Sequence, residues 1–318
     1  MSTSNASPPP RPTLVAHHPP GNAATTPPPL IRPLARTVAR HVLADTSAIG
    51  VVGCGVVGEQ LASDLVRVYD RVLVYDTQES AMVRVVTHVV GPAGRAVEAA
   101  TNLETVVREC HTLYLALPTP ASTSGPPGHD LTALHATLSF LHACQFQGPI
   151  LVRSTLCPGT TDGLVRTYPG RLLFHVPEFL SSRTAHLDTS LPMQPLVLLG
   201  VPDRTPAAAV DRVRTTLETV ARGRQRVMSV RARESEATKV LCNAFYAAKV
   251  QLFNEFYNIA HHEGIAYDMV RQLMLQQGWI HPMHTQVPGP DGQLGVGGAC
   301  LPKDTRALTQ WADAAGIL

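Results

Sequence analysis

Six cysteines are spread over 318 residues with no Cys-x-x-Cys pair and no histidine beside them in a zinc-ligand rhythm, which argues against a structural metal and for a reducing compartment. No run of about 18 apolar residues occurs, and the Pro-rich start lacks the apolar core of a secretory signal. A soluble, cytoplasmic chain with no membrane partner is therefore expected. Lys and Arg number 26 against 24 Asp and Glu and gather on no single element, so no nucleic-acid partner is expected either. Acidic residues are missing altogether from residues 1–44, which carry Arg11, Arg32, Arg36 and Arg40 and ten of the 27 prolines. Such a stretch cannot build a periodic apolar face, and residues 1–44 are expected to be a disordered Pro-rich arm. Its arginines also suit an organelle transit peptide, but the prolines break the amphipathic helix such a peptide needs.

The remaining chain is long enough for one large or two modest domains. From Ala48 onward, nearly continuous apolar runs recur at residues 48–53, 71–76, 112–117, 149–155, 172–176 and 195–200. Strands buried on both faces read this way, and helical stretches at Glu59–Val68 and Leu131–His142 lie between them. The expectation is an α/β fold with a doubly wound parallel sheet. Neither Gly nor Pro occurs between Gly223 and Gly264, while Ala237, Val240, Leu241, Ala244, Ala248, Leu252, Phe256 and Ile259 recur at helical spacing. One long helix over roughly 232–262 should therefore open a helical domain at residues 229–318, behind a first domain at 45–228.

The first strand runs directly into Gly53-Cys54-Gly55-Val56-Val57-Gly58, followed by a helix, a second strand and Asp76. Gly53 allows a tight turn, Gly55 lets backbone approach a pyrophosphate, and Gly58 lets the helix pack closely on the strand, with Val57 beside it in the first turn. Asp76, 23 positions after Gly53, would accept from a ribose 2′-OH and repel a 2′-phosphate. The first domain is thus expected to be Rossmann-like, with NAD rather than NADP as its cofactor.

Five further segments occur in order: LPTP (117–120), VRSTLCPGTTD (152–162), VPEFL (176–180), SEATKVLCNAF (235–245) and GVGGACLPKD (295–304). In these the chain resembles the UDP-glucose/GDP-mannose dehydrogenase family from about Ile49 to Gly316, with the last segment the most specific. The resemblance implies four-electron oxidation of the C6 alcohol of a nucleotide sugar, UDP-glucose being the commonest substrate in the family and GDP-mannose second. It implies Cys300 as nucleophile, Lys239 and Asn243 as residues that hold the substrate and the oxyanion, and Glu178 in water activation or proton transfer. By the same resemblance, Asp304 orders the water and the thiol, Thr119 touches NAD, and Thr155 lies between NAD and the reacting water. Lys303 faces the cofactor, and Gly297 contacts the substrate. The family's long central helix packs on its symmetry mate. A homodimer through residues 232–262, with Phe245, Leu252, Phe253, Phe256 and Tyr257 supplying apolar surface, is accordingly expected.

The residue types support the same chemistry. Oxidising an alcohol to an acid takes two hydride transfers, and a thiol that adds to the intermediate aldehyde creates a second hydride donor and keeps the aldehyde from escaping. Cys300 stands in a glycine-rich loop where little bulk shields it, and Lys303 supplies positive charge expected to favour thiolate. Lys239 and Asn243 are four apart on one helix face and can converge on one oxygen, although spacing alone favours a solvated face. The other five cysteines read as ordinary packing residues.

The pattern also has departures. Val176 stands where the family has Asn, Ser181 and Ser182 replace Arg and Glu, and an Asp-Arg pair is missing around Gln277-Gly278-Trp279-Ile280-His281. There His281 and His284 read as uninvolved loop residues. The resemblance implies a further α/β domain beyond the catalytic loop. That leaves three alternatives: a reduced site, a site completed by another chain, or an inactive scaffold. A two-electron β-hydroxyacid dehydrogenase, which shares the same plan, is the competing enzyme reading, and Cys300 speaks against it.

Overall fold

The computed structural model describes residues 48–92, 95–179, 196–221 and 226–317. The expected Pro-rich arm lies outside them, as do Ser181 and Ser182.

Eight strands form one sheet: β1 (Ala48–Val52), β2 (Arg71–Tyr75), β3 (Ala96–Ala99), β4 (Cys110–Leu115), β5 (Pro149–Val152), β6 (Leu172–His175), β7 (Leu196–Val201) and β8 (Arg226–Arg231). Their spatial order is β3-β2-β1-β4-β5-β6-β7-β8, so strand order reverses between β1 and β4. Neighbours run parallel except β6 and β7, which meet antiparallel at His175 and Gly200. The expected parallel sheet is thus correct for β1 to β6, while β7 and β8 form a pair running the other way.

Both faces are covered, which explains the continuous apolar runs. One face joins Ile49, Val51, Val72, Val74 and Tyr114 to Leu61 and Leu65 of α1 (Val56–Leu65). The other joins Val52, Leu113, Leu115, Ile150 and Val152 to Leu134, Leu138 and Leu141 of α4 (Thr132–Ala143). Each fully buried leucine contributes about 1.5–3 kcal/mol. The remaining connections are α2 (Glu79–His88), α3 (Leu103–Glu109), α5 (Thr160–Thr167) and α6 (Ala207–Val220).

After β8 comes α7 (Ala232–His262), 31 residues long and matching the expected helix, then α8 (Tyr267–Gln276) and α9 (Leu301–Ala314). The buried Glu236 of α7 accepts from the backbone N–H groups of Gly159 and Thr161, both at 2.6 Å, and so caps the entrance to α5. This pins the long helix to the loop that leaves β5 at the carboxyl end of the sheet. Among the described residues no helix is long and apolar enough to cross a membrane.

Candidate active site

The site lies at the carboxyl ends of the strands, where order reverses. Gly53 leaves β1 at φ 99°, and a Cβ there would stand 2.3 Å from the Ala116 carbonyl oxygen. At Gly58 a Cβ would stand 1.8 Å from the Gly53 carbonyl oxygen, so the first turn of α1 sits directly on the loop. At Gly55 nothing lies within 4 Å, which leaves open space over the helix N-terminus and its free amides. Gly53, Gly55, Val57, Asp76, Thr119, Thr155, Glu178, Cys300 and Lys303 all line one cavity of about 590 Å³. An open cradle over amides with a carboxylate at the end of β2 fits a dinucleotide, and the cofactor is NAD.

Asp76 is engaged more than its pattern suggested. Oδ2 accepts from Cys54 N at 2.7 Å and Oδ1 from Gln78 N at 2.9 Å. Each oxygen keeps a second lone pair, so Asp76 ties the glycine loop to β2 and remains open to a ribose hydroxyl. Arg84 of α2 donates to the Cys54 carbonyl oxygen at 2.6 Å and pairs with Glu59 at 3.1 Å, a cation on this rim that no motif had singled out.

The cavity floor is stitched by hydroxyls. Thr119 Oγ1 donates to the Thr155 carbonyl oxygen at 3.0 Å, and Ser154 Oγ donates to that of Leu117 at 2.7 Å. Arg153 beside them is 3% exposed, and its Nε and Nη1 have no hydrogen-bond partner among the described residues. Burial lowers its pKa, against the pull of Glu178.

Behind the cavity stand Lys239 and Asn243, both buried on α7. They do not converge on one oxygen. Lys239 Nζ lies 3.5 Å from Glu178 Oε1 and 5.4 Å from the centre of the Phe179 ring, while Asn243 Nδ2 donates to Asp304 Oδ2 at 2.6 Å. Each has a carboxylate of its own within reach, and pairing there satisfies two buried groups where a shared target would satisfy one.

Asp304 is fully buried on α9. His129 Nε2 approaches its Oδ1 at 3.1 Å, Lys303 Nζ pairs with the same oxygen, and Asn243 holds the other. Burial pushes the carboxyl pKa up, but the His129 hydrogen bond, the Lys303 charge and the Asn243 amide outweigh it and hold it at about 2.

Cys300 is the residue that precedes α9 and is half-buried. The positive charge expected to favour its thiolate is present but outweighed. Burial first, then the Glu178 carboxylate, push the thiol above its ordinary 9.0, and Lys303 and Lys239 only partly offset this. Gly297 lies half-buried in the preceding loop, and of the expected site residues only it and Gly58, which packs on the glycine loop from beneath, lie outside both the cavity lining and the knot behind it. His281 offers its carbonyl oxygen to Lys249 at 2.5 Å and His284 stacks on Tyr246, both away from the cavity.

Sequence reading missed His129, Cys157, Arg153 and Arg84. Arg153 and Cys157 fall inside the 152–162 segment, so their place was marked if not their role. His129 stands in a Gly/Pro/Ser loop with no pattern around it. All six cysteines are free thiols, but Cys157 is no plain packing residue, since its Sγ lies 3.4 Å from His129 Nδ1.

Comparison with known proteins agrees with this geometry. Residues 233–318 match the UDP-glucose/GDP-mannose dehydrogenase family, central domain, and residues 48–125 match the NAD binding domain of 6-phosphogluconate dehydrogenase. GDP-mannose 6-dehydrogenase of Pseudomonas aeruginosa is 30% identical over 171 residues, 50% of this chain and 36% of that protein. The chain thus spans little more than a third of the length of this relative. A UDP-glucose dehydrogenase from the archaeon Pyrobaculum islandicum has a similar fold, with TM-score 0.68 and 24% identity over 87% of this chain and 67% of that one. So does 3-hydroxyisobutyrate dehydrogenase of Mycobacterium tuberculosis, with TM-score 0.63 and 18% identity over 85% and 88%. The fold alone therefore does not separate the two chemistries. What separates them is local: residues 233–318 are similar to the central domain of the UDP-glucose/GDP-mannose dehydrogenases, and residues 48–125 to an NAD-binding domain.

Proposed function

We propose that this chain oxidises the C6 primary alcohol of a nucleotide sugar to the carboxylate in two NAD-dependent steps, with Cys300 as nucleophile. UDP-glucose is the first substrate to test and GDP-mannose the second. The observation that carries the reading is that Cys300, Thr155, Glu178 and Lys303 open into the same cavity as the glycine cradle and Asp76. A thiol placed against the reacting end of a dinucleotide crevice has no use in a single hydride transfer, which also sets aside the β-hydroxyacid reading that the fold would permit.

NAD, when bound, accepts one hydride in each round. In the first round Glu178 takes the alcohol proton and C6 becomes an aldehyde. Glu178, having released the alcohol proton to solvent, takes the proton of Cys300 as the sulfur bonds to the aldehyde carbon, while the carbonyl electron pair moves to oxygen, where Lys239 and Asn243 stabilise it once each turns from its own carboxylate. Such stabilisation is worth about 3 kcal/mol per donor. Loss of hydride from this thiohemiacetal leaves a thioester on Cys300. Water, held by Thr155 and deprotonated by Glu178 once that proton too has passed to solvent, then displaces the sulfur and releases the carboxylate, with Asp304 acting from behind the cavity through Lys303. Residues 45–228 supply the cofactor part of this site and residues 229–318 the nucleophile.

A two-fold dimer through α7 belongs to the same reading. Phe253 is buried within its own chain, and Phe256 and Tyr257 pack against that cluster, so they are withdrawn from the interface. Leu241, Phe245, Leu252 and Ile259 are more than half exposed at spacings of 4 and 7, and they form the outward stripe. Light scattering should give twice the chain mass at micromolar concentration, and a monomer would remove the interface.

The test of the function is Cys300→Ala. Carboxylate formation should fall more than about 1000-fold while the NAD Kd from calorimetry stays within about threefold, since the thiol acts on the aldehyde and not on the fold. Undiminished carboxylate production in this variant would end the thioester mechanism.

A further inference from the structure

The loop between β4 and α4 leaves the crevice at Thr119 and folds back on itself. Ala121 bridges His129 in antiparallel fashion, Ser122 N donates to the Gly128 carbonyl oxygen at 2.8 Å, and Asp130 N donates to that of Pro120 at 2.8 Å. This small hairpin rests on α9, where Gln310 Nε2 donates to the Ser122 carbonyl oxygen at 3.1 Å. At its base the His129 side chain, 1% exposed, spans 175 positions of sequence to reach Asp304. Its Nδ1 faces Cys157 in the loop after β5.

The proton on Nε2 follows from its partners. Asp304 is ionised above about pH 2 and can only accept, so Nε2 carries a proton whether the ring is neutral or charged. Burial holds the Cys157 thiol up at about 11, so Nδ1 meets a neutral thiol. The imidazole is fixed from both sides, yet His129 lines no part of the cavity. What it governs is Asp304 Oδ1, the oxygen that also holds Lys303 Nζ. With His129 removed, Lys303 Nζ is left as the sole partner of that oxygen among the described residues, so its charge is committed to Asp304 and less of it is left to act on Cys300.

We propose that His129 is a positioning residue for Cys300. By sharing Asp304 with Lys303 it sets how much of the lysine's charge is left for Cys300 and how α9 presents the thiol, so the loop that carries Thr119 also aligns the nucleophile. The proposal rests on the reading of Cys300 as nucleophile, and one arm of its test does not depend on turnover.

The test compares His129→Leu with His129→Gln in the full chain, because a glutamine amide nitrogen can stand where Nε2 stands. Two quantities are read: the rate at which iodoacetamide labels Cys300, resolved by peptide mass spectrometry, and kcat and KM for NADH formation with UDP-glucose or GDP-mannose. His129→Leu should label Cys300 at least fivefold more slowly and lower kcat at least tenfold, with KM for NAD within twofold. His129→Gln should return both rates to within threefold of the parent. Cys300 labelling at the parent rate or faster in His129→Leu overturns the proposal, as does a glutamine variant no better than leucine when both lose the same thermal stability. If the parent chain reduces no NAD with any nucleotide sugar, the functional reading fails, and the labelling arm still decides the role of His129.

Discussion

The cofactor crevice is a backbone construction: Gly53, Gly55 and Gly58 act by what they lack, and Asp76 closes the loop through two backbone N–H groups within 30 residues of chain. The knot behind Cys300 is a side-chain construction. It brings His129, Glu178, Lys239, Asn243 and Asp304 together from separate elements up to 175 positions apart. A backbone site tolerates change in the side chains around it, whereas a knot of buried charges fails as a unit, because removing one member leaves another desolvated and unpaired.

The sharpest way to expose this contrast is Asp304→Ala. It strands Lys303, His129 and Asn243 together and should cost about 3–5 kcal/mol in urea unfolding. The same carboxylate gives a pH signature. Its folded pKa of about 2 lies below the ordinary 3.8, so its contribution is complete above about pH 4 and is lost as pH falls toward 2. About 2 kcal/mol of stability should disappear over that window, and the alanine variant should lack the slope. Equal acid sensitivity in both proteins would show that the knot is not what holds α9 in place.

A middle-sized effect concerns the thiol. Because burial and Glu178 push the Cys300 thiol up, its labelling by iodoacetamide should keep rising with pH beyond 9, and saturation near pH 7 would mean a thiolate is already stabilised. The smallest effect belongs to the crevice. Asp76→Ala should relax NAD preference over NADP by about tenfold while leaving the fold intact. Arg84 stands on that rim, but Glu59 already engages its charge, so the parent should still favour NAD. Equal affinity of the parent for both cofactors, by calorimetry, would mean Asp76 serves only its own loop.

The same division explains what could be read in advance. The glycine loop, the six apolar strands and α7 were legible because each is local: a spacing, a run or a period states its own geometry. β3 and β8 were not, since both are edge strands whose residues are partly exposed and form no apolar run. The antiparallel pairing of β7 with β6 leaves no local mark either. Within the site, Lys239 and Asn243 were visible as an i, i+4 pair, but their separate carboxylates are set by tertiary packing. His129 was invisible because its only meaning is a partner 175 residues away. The Cys300 thiol was misjudged in one respect, because a neighbouring lysine shows in sequence and burial does not.

The central claim is that residues of the crevice and of the knot share one substrate and run both oxidations on it. The most direct measurement is the ratio of NADH formed to carboxylate released, taken with UDP-glucose, GDP-mannose and their N-acetyl analogues. The account predicts two NADH per carboxylate and no free aldehyde for at least one of them. One NADH with an aldehyde released into solution would contradict it, because the thiol would then stand beside the reaction without taking part.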